Sequence, residues 1–153
     1  MTGTSSEIVE GLNQLLQALT SALQQLRIHK AKCGVWGYER LCSSLSNHFD
    51  ELSRHQDKII ARLLVMDAHI DPSTAGHVRV GQTVEDILSA ERVSSTELLD
   101  LTLSCLKIAQ SNAPLRCLLE SLALAEDERQ LELDQSLELL RQMGTQQFLA
   151  SRC

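Results

Sequence analysis

The side chains with the greatest chemical potential in this 153-residue sequence are His55, Glu126, Arg129 and, in a less secure register, Glu91. Each falls inside an apolar stripe. Over Trp36–Leu64 the residues Leu41, Leu45, Leu52, Ile59 and Leu63 share one helical face, and His55 continues that face between Leu52 and Ile59. Later in the chain, alternating steps of four and three residues run through Leu115, Leu119, Leu122, Glu126, Arg129, Leu133, Ser136 and Leu140. A charge buried without a partner costs several kcal/mol, so these groups must satisfy one another or hold something. A helical bundle can pool carboxylates and imidazoles in its interior to bind a pair of metal ions, an acid and a histidine three residues apart projecting from one face. That motif is half kept twice here, as Leu52-x-x-His55 and as Glu126-x-x-Arg129. The competing reading is structural, with His55 a hydrogen-bonded core histidine and Glu126–Arg129 a plain ion pair.

Such groups need long helices to position them, and the composition favours helices. The chain is 43% hydrophobic but only 3% aromatic, with seven Gly and two Pro, which suits a Leu-, Gln- and Glu-rich helical protein better than a sheet. A first helix is expected from Thr4–Ser6, whose hydroxyls can cap, to Lys32, ending before Gly34. Its seam is Ile8, Leu12, Leu15, Leu19, Ala22 and Leu26, and Leu16 and Leu23 widen it for a neighbouring helix or subunit. Gly34 and Gly37 bracket a tight turn into a second, antiparallel helix from Tyr38 to Leu64. The segment MDAHIDPSTAGHVRVGQT lacks periodicity and has the length of a crossover to the far end of a bundle. A third helix should span Val84–Gln110, with the seam Val84, Leu88, Glu91, Ser95, Leu98, Thr102, Cys105 and Ala109, although Leu99, Leu101 and Leu103 offer a rival register. A fourth runs from Pro114 to Met143, capped by Gly144, and a short amphipathic piece, Thr145–Arg152, follows. The fold class is therefore all-α: a four-helix bundle of two antiparallel hairpins with a long crossover and a short fifth helix, in a single domain over residues 1–153.

Bulk properties remove several functions. A net charge of −6, with no basic tail, gives little support for nucleic-acid binding. No segment approaches the roughly 20 apolar residues of a membrane span, and MTGTSSEIVE lacks the basic start and apolar run of a signal peptide, so a cytoplasmic protein is expected. The five cysteines form no C-x-x-C pair and read as reduced structural thiols, although Cys33 and Cys42 flank a turn and could approach each other. His29, His48, His69 and His77 read as surface or loop residues, and Glu126–Asp127–Glu128 as a solvated face with one inward member.

Taken together, LNQLLQAL in the first helix, WGYERL at the start of the second, the run His55-x-Asp57-x-Ile59-x-x-Arg62-Leu63-Leu64, VGQTVEDIL entering the third helix and QMGTQQFLA entering the last resemble bacterioferritin, a haem-binding branch of the ferritin superfamily. The similarity spans nearly the whole chain. It implies a shell of many four-helix subunits around an iron-storage cavity, each subunit oxidising Fe(II) at a di-iron centre. Carried over by position, the family's six ligands fall on Leu19, Leu52, His55, Ser95, Glu126 and Arg129, so only His55 and Glu126 survive as metal ligands. The haem-ligating methionine falls on Ser53, a poor axial ligand, which argues against haem. A one-residue slip would bring Glu51 to the second-helix carboxylate position, making Glu51 a weaker third candidate.

These residues lead to an expected bacterioferritin-like subunit that keeps fold and shell contacts but has lost its own ferroxidase and haem ligands. It would be a structural or accessory subunit, self-assembling or joining a catalytic sister, with iron present only as stored mineral. Two alternatives stand beside it: an active ferroxidase using Glu51, His55, Glu91 and Glu126, and a helical interaction protein with no role in iron handling.

Overall fold

The computed structural model describes residues 2–73 and 78–151, with side chains from residue 5 onward. Its elements are α1 (Thr2–Trp36), α2 (Glu39–Val65), α3 (Val84–Ile108), α4 (Ala113–Met143) and α5 (Thr145–Ser151), and no strand occurs among the described residues. His77, Arg152 and Cys153 lie outside the described residues.

The helix ends follow from identifiable caps. Thr83 Oγ1 accepts the Asp86 N–H at 3.1 Å to start α3, and Asn112 Oδ1 accepts the Leu115 N–H at 3.2 Å to start α4. Gly144, at φ +81°, ends α4. One expected boundary is corrected: Gly34 does not stop α1, which runs on to Trp36. The chain reverses at Gly37 instead, where φ is +83°. The Tyr38 N–H donates to Cys33 O at 2.9 Å and the Gly37 N–H to Gly34 O at 3.1 Å, the paired bonds of a Schellman cap with glycine at its left-handed position.

α1 pairs with α2 and α3 with α4 as two hairpins. α1 lies against α3, whereas α2 and α4 meet over a short stretch only. The expected seams fill the interior: Ile8, Leu12, Leu15, Leu19, Ala22 and Leu26 of α1 and Val84 through Ala109 of α3 are buried, which settles the α3 register against exposed Leu103. Leu16 and Leu23 are buried within the single chain, so a neighbouring helix covers them rather than a second subunit.

α1 also secures the crossover. Near its start, Asn13 donates to His69 O at 2.9 Å and accepts the Asp71 N–H at 2.8 Å, while Gln17 donates to Asp71 Oδ2 at 2.8 Å. Near its end, Gln25 accepts the Arg79 N–H at 3.0 Å, His29 Nε2 accepts the Gly81 N–H at 2.9 Å and Lys32 Nζ donates to Gly81 O at 2.8 Å. Cys33, Cys42, Cys105 and Cys117 are free thiols, and burial pushes Cys33 and Cys105 up to about 11. No helix among the described residues is long and apolar enough to cross a membrane.

Candidate functional site

The polar residues of the seams sort into two separate clusters. In the first, Glu126 of α4 is fully buried, and Ser95 Oγ of α3 donates to its Oε2 at 2.5 Å. Its other oxygen, Oε1, has no hydrogen-bond partner, and the nearest imidazole nitrogen is Nε2 of His48, on α2, at 3.6 Å. Burial raises the Glu126 carboxyl to about 7; Ser95 and Arg129 oppose the rise, while Glu51 and Glu91 add to it. Burial, Arg129 and His55 lower His48 to about 3, so its imidazole is neutral at physiological pH.

The other members of this region are less closely joined than expected. His55 is buried, and its ring Nδ1 lies 3.0 Å from the Glu51 carbonyl oxygen, one helical turn back. A carbonyl only accepts, so Nδ1 carries the proton and Nε2 the lone pair. Burial is the main cause that lowers the His55 pKa. No hydrogen bond or ion pair joins His55 to Glu126. The expected Glu126–Arg129 ion pair is also corrected: Arg129 Nη1 lies 3.6 Å from Glu132 Oε2, and its Nε has no partner. The side chain turns toward the open edge of the bundle, where Glu132 compensates it at lower desolvation cost than Glu126 would. Between α2 and α4, under Phe148 of α5, this edge forms a groove of about 580 Å³ lined in part by His48, Glu51 and Arg129.

The second cluster lies between α1 and α3. His29 Nε2 accepts the Gly81 N–H, so the ring proton is on Nδ1, which donates to Glu91 Oε2 at 2.7 Å. Gln25 donates to the same oxygen at 2.9 Å. Glu91 is thus inward, as its seam position required, but its partners hold the crossover rather than complete a site around Glu126.

Two expectations on histidine are corrected here. His29 and His48 are buried at 0% and 8% exposure, not on the surface. The signal lay in the same four-three stepping: Leu26 leads to His29 and Cys33, and Leu45 leads through His48 to Leu52. His69 is exposed in the crossover, and Asp127 and Glu128 are exposed beside inward Glu126.

Of the six positions carried over above, Leu19, Leu52, Ser95, Glu126, Arg129 and His55 are all buried in the bundle interior. Two leucines, an arginine and a serine already bonded to Glu126 do not fit a pair of iron ions, which require oxygen-rich anionic ligands. Among the described residues no three His, Cys, Asp or Glu side chains converge as they stand. Ser53 is half-buried on α2 and offers haem iron only a hydroxyl, so it does not fit that group either.

A four-helix bundle with a long crossover, and polar residues at the central seam positions, defines a ferritin-like protein. Residues 9–143 match the family model for the ferritin-like domain, and the chain belongs to that family. Its relatives are bacterioferritins. It is 25% identical over 148 residues to a bacterial ferritin of Synechocystis, covering 95% of each chain, and 26% identical over 149 residues to bacterioferritin of Streptomyces coelicolor, covering 95% of this chain and 88% of the relative. Among solved structures, Rhodobacter capsulatus bacterioferritin, determined with a metal-free dinuclear site and with haem iron, superposes with a TM-score of 0.92 at 22% identity over 97% of this chain and 94% of that one. Mycobacterium tuberculosis bacterioferritin gives 0.90 at 22% identity, over 95% and 93%.

Proposed function

We propose that this chain is a cytoplasmic, bacterioferritin-like subunit of an iron-storage shell that has lost its own di-iron ferroxidase centre and the family's haem ligand. It acts as a structural or accessory subunit, assembling with copies of itself or with a catalytic bacterioferritin subunit, and iron is its cargo rather than its cofactor. His55 and Glu126 are remnants of the ligand set, and Glu51 is at most a groove-facing carboxylate.

The observation that carries this reading is Arg129. It is buried at 7% exposure on the α4 seam, at the position of the family's second histidine, and a guanidinium cannot ligate a metal ion. Leu19 and Leu52, at 0% and 1% exposure, fill volume where carboxylates would stand. An atypical active site built on Glu51, His55, Glu91 and Glu126 has less support, because Glu91 is engaged by His29 and Gln25.

Stopped-flow addition of Fe(II) to the purified, aerated protein tests the reading. No rapid oxidation phase stoichiometric with subunits is expected, and iron-soaked crystals should show no pair of anomalous peaks in the bundle centre. A fast phase of about two Fe(II) per subunit would overturn it. A small dimer as the sole species in solution would favour a helical interaction protein instead.

A further inference from the structure

Two free thiols flank the α1–α2 turn in symmetric positions, Cys33 four residues before Gly37 and Cys42 four residues after Tyr38. The backbone of Tyr38 joins them: its N–H donates to Cys33 O at 2.9 Å, and its carbonyl accepts the Cys42 N–H at 2.9 Å. Across the hairpin, the Cys42 thiol donates to Lys30 O of α1 at 3.3 Å, and a Cβ at Gly34 would meet the same sulfur at 3.6 Å. The Cys42 sulfur therefore rests on the α1 backbone between Lys30 and Gly34, on the turn of helix that also carries Cys33. Packed helices have axes about 8–10 Å apart and Cα atoms about 2.3 Å off each axis, so facing Cα atoms come within roughly 5 Å, inside the range a disulfide spans. The two thiols differ in access, Cys33 being fully buried and Cys42 half-buried. Burial and the adjacent Cys42 raise the Cys33 thiol to about 11, which keeps it protonated and a poor first nucleophile.

We infer that Cys33 and Cys42 are a modification site for hydrogen peroxide, which converts them to a reversible disulfide that staples α1 to α2 at their shared turn. Cys42, the accessible member, reacts first. It gives up its proton, its thiolate attacks one peroxide oxygen and the O–O bond breaks, leaving a sulfenic acid on Cys42 and a hydroxide that takes up the released proton as water. The Cys33 sulfur then attacks the Cys42 sulfur. The S–S bond forms, the S–O bond breaks, and the departing hydroxide takes the Cys33 proton as a second water. Each sulfur loses one electron overall, and each peroxide oxygen gains one. The reaction exchanges the weak Cys42–Lys30 hydrogen bond for a covalent link. A low-molecular-weight thiol reverses it by thiol–disulfide exchange.

The inference goes beyond the storage role and does not depend on it. Rapid Fe(II) oxidation would overturn the proposed function alone, whereas failure of the two sulfurs to join would overturn this site alone. The test is treatment of the reduced, purified assembly with hydrogen peroxide, followed by thiol blocking and tryptic peptide mass mapping. Cleavage after Lys32, Arg40 and Arg54 places Cys33 in peptide 33–40 and Cys42 in peptide 41–54. Most chains should yield these two peptides joined, two hydrogens lighter than their sum, and dithiothreitol should separate them. Cys33→Ser should stop the reaction at a sulfenic acid on Cys42 that dimedone traps, whereas Cys42→Ser should leave Cys33 reduced. Cys105, beside Gly11 toward the other end of α1, is the control, and Cys105→Ser should leave the link unchanged. In the oxidised parent, hydrogen exchange at the Tyr38 and Cys42 amides should slow about tenfold. The site is refuted if peroxide leaves the two peptides separate, if the link joins two chains rather than one, if Cys42→Ser does not protect Cys33, or if exchange at the turn does not slow. The parent chain alone carries the decisive readouts, so no variant's folding limits the test.

Discussion

His48 and Glu126 are 3.6 Å apart, and in the metal-free protein they draw stability in opposite directions as pH changes. His48 is lowered from 6.5 to about 3 by burial and by Arg129 and His55, so the stability tied to its neutral form is present above pH 6.5 and lost as pH falls toward 3. Glu126 is raised from 4.5 to about 7 by burial, with Glu51 and Glu91 adding and Ser95 and Arg129 opposing. The stability tied to its protonated form is therefore present below pH 4.5 and lost as pH rises through 7. Between 4.5 and 6.5 the two slopes oppose each other, and below 4.5 only that of His48 remains. Urea unfolding of metal-free protein at pH 4, 5.5 and 8 should show Glu126→Gln gaining on the parent by a few kcal/mol between pH 4 and pH 8, about 1.4 kcal/mol per pKa unit. His48→Gln should lose less than the parent between pH 5.5 and 4. Parallel stability curves for parent and variants would show that burial perturbs neither group. The inward position of Glu126 was legible from its helical step. His48 and His29 stood on equally clear steps, but their polarity argued for the surface. What no spacing within one helix could display is a partner elsewhere in the chain, such as Ser95 on α3 or Gly81 in the crossover, that makes burial tolerable.

At the scale of elements, the crossover depends on one glycine. A Cβ at Gly81 would stand 2.5 Å from Ile87 N and 2.8 Å from Asp86 C, backbone atoms in the first turn of α3 that cannot swing aside. Gly81→Ala should therefore cost about 2 kcal/mol or more in denaturant unfolding and speed hydrogen exchange at the Gly81 and Arg79 amides, since the His29 and Gln25 contacts shift with it. A substitution within 0.5 kcal/mol of the parent would mean that α3 slides to make room. The sequence located all five helices because leucine periodicity and caps are local. It misplaced the end of α1 because Gly34 and Gly37 carry the same compositional signal, and only the paired bonds from Tyr38 and Gly37 distinguish them. The rival leucines of α3 were likewise undecidable until α1 and α4 covered one side.

For the molecule as a whole, the proposed role makes assembly the property to measure. Light scattering behind size exclusion should give a mass of many 17.0 kDa subunits rather than a dimer, and co-expression with a catalytic bacterioferritin should yield mixed shells whose oxidation rate falls with the share of this chain. Unmixed populations would remove the accessory role. The grip of α1 on both ends of the crossover bears on such assemblies. Domain swapping, in which one copy lends its second hairpin to the next, is a general route by which identical subunits associate. Here Asn13 and Gln17 hold the departing chain while Gln25, His29 and Lys32 hold its return, with Glu91 of α3 bonded to the same histidine. These bonds, of which those of His29 are buried, tie α3 and the crossover to α1 of the same chain, so the second hairpin is held against the first at both ends of the connection.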